Sequence, residues 1–395
     1  MLDFIHRKGP AVLWTAALVA AAVASYGATP HLRETFFVGG EYADDGEGGH
    51  VIQGQMYVEH LTPATGHEAQ PYPIIFIHGA TRTGIDWLTK PDGQPGWADH
   101  FLARGYECYL VDLPYQGRSV VAPTEQPLRH FSAEVAAQRF TAPEKFDLWP
   151  QAALHTRWPG PTGQMGGDPF FDQLLASGNY LIDNATFQQT AARAAMAALL
   201  DRVAAQPVVL LGHSNGGATL WATADARPGR VAAVVGLEPL GPPFRNEAPG
   251  TVEDARAWGL TDIPVAYEPP VAHPAVDLVK VAHAPSPNDT TAPPPDDGMR
   301  ANCTLQAEPG ARRWANLAGL PVLVVTGQAS YHARYDWCSV AFLRQVGVEA
   351  RHLLLESVGI TGNGHFMFME TNSEDIAEQV VGWLASGFGG KSLGN

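Results

Sequence analysis

Val208-Val209-Leu210-Leu211-Gly212-His213-Ser214-Asn215-Gly216-Gly217 is the stretch that decides the fold. The four leading apolar residues read as a short strand buried on both faces. Residues 217–226 behind them have helical patterning, so Gly212 to Gly216 forms a G-x-S-x-G turn between strand and helix. Glycines suit such a turn because it is tight and strained, and a side chain there would meet neighbouring backbone. The turn lifts the Ser214 hydroxyl above the sheet edge. The helix that starts beneath it aims backbone N–H groups at any negative charge developing there.

The same strand character recurs at residues 73–78, 106–112, 231–237, 321–326 and 351–355, with helical patterns at 97–104, 185–204 and 373–385 between them. Alternation of buried strands with helices predicts an α/β fold with a mostly parallel central sheet covered on both faces. Residues 35–38 and 51–61 read as two further strands joined by the Gly- and Asp-rich turn 39–49. Two long stretches break the alternation. Residues 120–184 carry a helical piece near 132–140, and residues 240–310 carry an expected helix at 252–258 and a proline-rich run at 285–295. Both are expected to form lid-like insertions on a domain spanning 29–395. Phe140, Trp149, Trp158, Phe170 and Phe171 supply either an apolar pocket wall or helix packing.

A serine hydroxyl needs a base at neutral pH. The glycine-rich segment Gly359-Ile-Thr-Gly-Asn-Gly364-His365 follows the last strand, where a flexible loop can bring an imidazole back to the serine, so His365 is expected as the base. Two carboxylates compete to orient it. Glu238 directly follows strand 231–237, at the carboxyl edge where sites form in open α/β sheets, and burying it there requires a partner. Asp336 follows the next strand but lies nine residues beyond Gly327; the nearer position holds Gln328-Ala-Ser330. The reading favours Glu238. The N–H groups of Ala80 and Asn215 are the expected oxyanion donors. His78, Thr81 and Trp87, with Arg82, Asp86 and Trp97, are candidates to line a pocket by position alone.

The rest of the chain bounds the possibilities. Its 395 residues are 45% hydrophobic and 16% charged, enough for a large core and too apolar for disorder. With 40 acidic against 25 basic residues the net charge is −15, which disfavours nucleic acid as a partner. No H-E-x-x-H, paired C-x-x-C or EF-hand loop points to a metal, and no G-x-G-x-x-G opens a helix after the first strand, so no cofactor is expected. Residues 1–28 read as a secretory signal: Arg7 and Lys8, an alanine-rich apolar run over 11–24, and small residues at Val23-Ala24-Ser25. An uncleaved N-terminal anchor is the rival reading. Cys108 reads as a buried strand residue, while Cys303 and Cys338 flank strand 321–326 and are expected to pair in an oxidising compartment. Sequons at Asn184, Asn288 and Asn302 would carry glycans only in a eukaryotic secretory route.

Taken together, these residues resemble the α/β-hydrolase superfamily over roughly 35–390. More narrowly they are similar to a group of bacterial and fungal esterase-like hydrolases that combine G-H-S-x-G, a glutamate after the sixth strand and a G-N-G-H histidine loop. Here those are Gly212 to Gly216, Glu238-Pro239 and Gly362-Asn-Gly-His365. Phe36-Phe-Val-Gly-Gly-Glu41-Tyr and Thr326-Gly-Gln-Ala-Ser-Tyr-His332 carry the same likeness. The resemblance implies Ser214, Glu238 and His365 as a triad. It also agrees with a Cys303–Cys338 bridge, since fungal relatives carry both positions. Where bacterial members carry cysteines after the third strand, this chain has Ala80-Thr81. The expected function is a secreted serine carboxylesterase acting on small esters through an acyl-enzyme. Lactone or thioester cleavage, acyl transfer to an alcohol, or ligand binding without turnover are the alternatives.

Overall fold

The computed structural model describes residues 28–64, 68–119, 126–203, 206–285 and 300–388. The expected signal segment, the proline-rich run over most of its length and Asn288 lie outside the described residues. Eight strands form the central sheet: β1 (His31–Asp44), β2 (His50–Pro63), β3 (Ile74–Ile77), β4 (Cys108–Asp112), β5 (Val208–His213), β6 (Val231–Leu237), β7 (Pro321–Thr326) and β8 (Glu349–Leu354). Their order is β1-β2-β4-β3-β5-β6-β7-β8. The hairpin β1–β2 is antiparallel and β2 joins β4 antiparallel, while every pair from β4 to β8 is parallel.

The period of two along each strand sends side chains to two separate cores. Ile75 and Ile77 face a layer containing Ala195, Met196 and Leu199 of α3 (Ala185–Arg202) and Leu220 and Trp221 of α4 (Gly216–Ala226). Ile74 and Phe76 face α1 (Trp97–Leu102) and α6 (Ser373–Ala385), through Trp97, Phe101, Ile376 and Val380. The parallel strands β3, β4 and β5 are buried at every position, as continuous apolar runs in a sheet covered on both faces require. Among the described residues, no helix is long and apolar enough to cross a membrane.

Three local expectations are corrected. Residues 252–258 form no helix: Glu253 and Asp254 pair antiparallel with Asn246 and Arg245, and Arg256 turns to φ +48°. The buried guanidinium of Arg256 holds that turn by donating to the carbonyls of Gly241 and Pro242. The first hairpin turn is shorter than expected, because both strands run through the glycines at 39, 40 and 54 and close only at residues 45–49. Finally, Cys303 and Cys338 are buried, unbridged thiols within hydrogen-bonding reach of each other; Cys108 is buried in β4.

The described part of the insertion, 126–184, packs against the turns at the carboxyl edge of the sheet. It contains a four-residue helix at Ala133–Ala136, a π-turn at Ala137–Thr141, two short 3-10 turns and α2 (Pro169–Ala176). Buried Arg82, after β3, anchors it: its guanidinium grips Asp86 at 2.6 and 2.9 Å and donates to Leu174 O and Ser177 Oγ, both at 2.7 Å.

Candidate active site

Ser214 leaves β5 with φ +51°, a left-handed conformation that a side chain tolerates only when its surroundings impose it. Its amide donates to Leu237 O at 3.2 Å, and its carbonyl accepts from Gly217 and Leu240 at 2.8 and 2.7 Å, so the strained turn is tied to the end of β6. Close packing explains the glycines: a Cβ on Gly216 would stand 2.7 Å from His78 O, and one on Gly217 would stand 2.6 Å from Leu240 N. A Cβ on Gly79 would lie 3.2 Å from Ser214 Cβ, so the turn after β3 runs alongside the serine. Ser214, Asn215 and Ala80 are all half-buried, and α4 begins directly after Asn215.

Glu238 is fully buried at φ +45°. Its Oε2 accepts from His365 Nδ1 at 2.5 Å and from Ser330 Oγ at 2.6 Å, and its Oε1 accepts from Gly327 N at 2.8 Å. The structure therefore brings Glu238, and not Asp336, to His365. Asp336, the first residue of α5 (Asp336–Gln345), instead pairs with His332 Nδ1 at 2.8 Å and accepts from Thr326 Oγ1 at 2.8 Å. Ser330 lies in the Gln328-Ala-Ser330 turn where a carboxylate was missing from the sequence; its hydroxyl supports a carboxylate arriving from β6.

The imidazole of His365 is enclosed by rings: Phe140 at 5.4 Å, Tyr331 at 5.0 Å, His332 at 4.7 Å and His213 at 4.5 Å between centroids. Nε2 of His213, the residue before Ser214, donates to His365 O at 3.0 Å and so joins the two loops. The Tyr331 hydroxyl is 3.4 Å from His365 Nε2. Burial holds His365 well below the usual histidine range, and nearby His213, His332 and Arg139 push the same way. Burial thus favours its neutral imidazole form. Burial also depresses His213, to about 3. Burial and the charge of Asp336 push Glu238 up, against the hydrogen bonds from Ser330 and Gly327 that favour its carboxylate.

A cavity of about 170 Å³ adjoins this group, lined by Thr81, Phe131, Phe140, Leu174, Tyr180 and Phe366 among others. Of the residues expected to line a pocket, Thr81 lines this cavity, whereas His78 and Trp87 do not. His78 is buried, accepting from Leu113 N at 3.0 Å while its Nδ1 meets Gly79 O, so it shapes the loop. Trp87 is fully buried against Phe76 and Phe368, and Trp97 of α1 packs beside it; both belong to the core between the sheet and α1. Of the insertion aromatics, Phe140 reaches the cavity, Phe171 packs in the core, and Trp149 and Trp158 bond Ala329 O and Asp168. Sequence reasoning missed Ser330, Tyr331 and His213 as contacts. The only trace was the absence of an acid at 328–330.

Glu238, His332 and His365 bring ligand-type atoms within 4.8 Å of one another. Both oxygens of Glu238 already accept from protein donors, and each imidazole bonds its own carboxylate through Nδ1.

Comparison with known proteins fits this geometry. Residues 72–268 match the family described as alpha/beta hydrolase fold. The chain is 41% identical over 349 residues to the probable secreted lipase phiG of a fungal species (strain ATCC 74256), covering 88% of each protein. It is also similar in fold to a bacterial esterase solved at atomic resolution, with TM-score 0.58, 22% identity, and 90% and 96% of the two chains covered. The sheet order, the strained serine turn and the extent of these matches lead to one conclusion: the chain belongs to the α/β-hydrolase family.

Proposed function

We propose that the protein is a secreted serine carboxylesterase, with Ser214 as nucleophile, His365 as base and Glu238 as its orienting carboxylate. The observation that carries this reading is the 2.5 Å contact between Glu238 and a buried, neutral His365 that packs on the residue preceding Ser214. Ser214 attacks the ester carbonyl as His365 takes its proton; the N–H groups of Ala80 and Asn215 receive the oxyanion; His365 then protonates the leaving alcohol. Water activated by the same imidazole releases the acid. Support for ester chemistry and for export comes from the fungal relative named a probable secreted lipase.

A cavity near 170 Å³ is close to the roughly 150 Å³ that holds benzene in an engineered protein core. It suits a short or compact acyl group better than a long chain. The test is hydrolysis of p-nitrophenyl esters of increasing acyl length by wild type and Ser214→Ala. Turnover that is strongest on short esters and lost in the variant is expected; equal activity in both proteins would refute the nucleophile. Product that forms only with added alcohol would instead identify an acyltransferase.

A further inference from the structure

Residues 149–157 of the insertion touch both turns that carry the proposed Glu238–His365 pair. Trp149 Nε1 donates to Ala329 O at 3.0 Å, inside the turn whose Gly327 and Ser330 hold Glu238. Thr156 N donates to Gly362 O at 3.0 Å, and Arg157 Nε to Thr361 O at 2.9 Å, inside the loop that ends at His365. The two turns are themselves joined, because Ala329 N donates to Asn363 O at 2.8 Å and Gly362 N to Gln328 Oε1 at 3.0 Å.

Beside Thr156, against the histidine loop, is His155, 4% exposed, with a carboxylate on each ring nitrogen. Nδ1 meets Glu144 Oε2 at 3.0 Å, and Nε2 meets Glu370 Oε1 at 2.8 Å. Glu370 is fully buried and accepts from Gly364 N at 2.9 Å and Asn363 Nδ2 at 2.7 Å, the two residues before His365. A neutral imidazole has one N–H and would turn a lone pair toward one of these carboxylates; only the cation satisfies both. A side chain on Gly364 would meet the His155 ring at 3.0 Å, so loop and clamp are in contact.

We propose that His155, as a cation between Glu144 and Glu370, is a positioning residue that holds the loop of His365 in register with Glu238. The insertion is thus a strut of the catalytic loop. The charged groups facing His155 are Glu144 on the 143–145 turn and Glu370 after the loop; Lys145 and Arg157 stand at its edge and are tied to Thr162 O and Thr361 O. Burial lowers the basicity of His155, but the bonds to Glu144 and Glu370 outweigh it and push it up to about 9.

The proposal rests on the esterase reading, so its test has one arm that needs catalysis and one that does not. In the first arm, rates on p-nitrophenyl acetate, corrected for spontaneous hydrolysis, are followed across pH for wild type, His155→Gln and Glu144→Gln. Wild-type kcat is expected to fall with a midpoint near 9, with little change in KM. Glu144→Gln, at a one-third exposed site on the insertion, should move that midpoint toward acid by about one pH unit. His155→Gln should lower kcat at neutral pH by about tenfold, leave KM within about twofold, and lack the alkaline fall. An alkaline limb unmoved by Glu144→Gln, or wild-type kcat in a folded His155→Gln protein, overturns the proposal.

The second arm is a side-chain ¹⁵N–¹H NMR titration of the wild-type protein. Two protonated ring nitrogens on His155 at neutral pH are expected, and a single one overturns the clamp. Absence of any ester hydrolysis would sink the esterase reading while leaving this titration decisive for the clamp.

Discussion

Two histidine–carboxylate pairs meet at the loop 362–365, and their environments drive them to different charge states. His365 bonds one carboxylate, Glu238, and is otherwise walled by aromatic and imidazole rings, so burial keeps it neutral. His155 is nearly as buried but bonds two carboxylates, so it is held as a cation with its titration pushed up to about 9. The residue types are the same; the count of carboxylates decides the difference. A base must start neutral to accept a proton, whereas a clamp must stay charged to fill two acceptors. One loop between the two can therefore hold the histidine proposed as the base in place without lending it a charge.

The largest expected effect breaks the first pair. Glu238→Gln keeps the shape but cannot stabilise an imidazolium, and should lower kcat by about 10³–10⁴-fold on p-nitrophenyl acetate. Asp336→Asn, which removes a carboxylate not bonded to His365, should cost far less. Equal losses in the two variants would mean that contact with His365 is not what makes Glu238 matter.

The second prediction concerns stability. A histidine at about 9 in the folded protein and near 6.5 when unfolded stabilises the fold fully below pH 6.5, and loses that contribution as pH rises through 9. The contribution lost is roughly 3 kcal/mol. Urea unfolding of wild type should weaken across this window, and His155→Gln should show a flatter profile. His365 acts in the opposite sense: because its folded form resists protonation, the stability it allows is lost as pH falls below about 6.5. Parallel wild-type and His155→Gln curves from pH 6.5 to 9 would remove the contrast between the pairs.

Smaller effects sharpen the picture. Ser330→Ala leaves Glu238 Oε2 with His365 as its remaining partner, and should lower kcat about tenfold with KM little changed, since a hydrogen bond to a charged group is worth about 1.5–3 kcal/mol. Unchanged kcat would show that Gly327 N alone orients the carboxylate. Smallest of all, Tyr180→Ala trims a half-exposed wall of the cavity. The ratio of longer to shorter ester turnover should rise about threefold, within the range one or two methylenes are worth in an apolar pocket. A flat ratio would place the acyl group elsewhere.

Much of this was legible in the sequence. Buried parallel strands announce themselves as apolar runs; β6 and β7 were read at their observed bounds, and α6 likewise. The serine turn was readable because its glycines answer a local steric need. Failures came where distant partners decide conformation. The segment 252–258 has the composition of a helix, but a guanidinium captured by two carbonyls opens it. Trp87 looked like a pocket residue because it follows the third strand, yet its indole reaches the core.

By itself, the sequence determined the sheet, the strand-turn-helix around Ser214 and the candidate status of Glu238 and His365, because each depends on the order and period of nearby residues. Only the tertiary structure decided which carboxylate meets His365, since Glu238 and Asp336 both follow strands that end at the same edge, and bonds to Gly327, Ser330 and His332 sort them. It alone decided that the insertion reaches the histidine loop through His155 and Glu370, 215 residues apart. The charge of a buried histidine follows from how many acceptors surround it in space, a number that no local run of sequence contains.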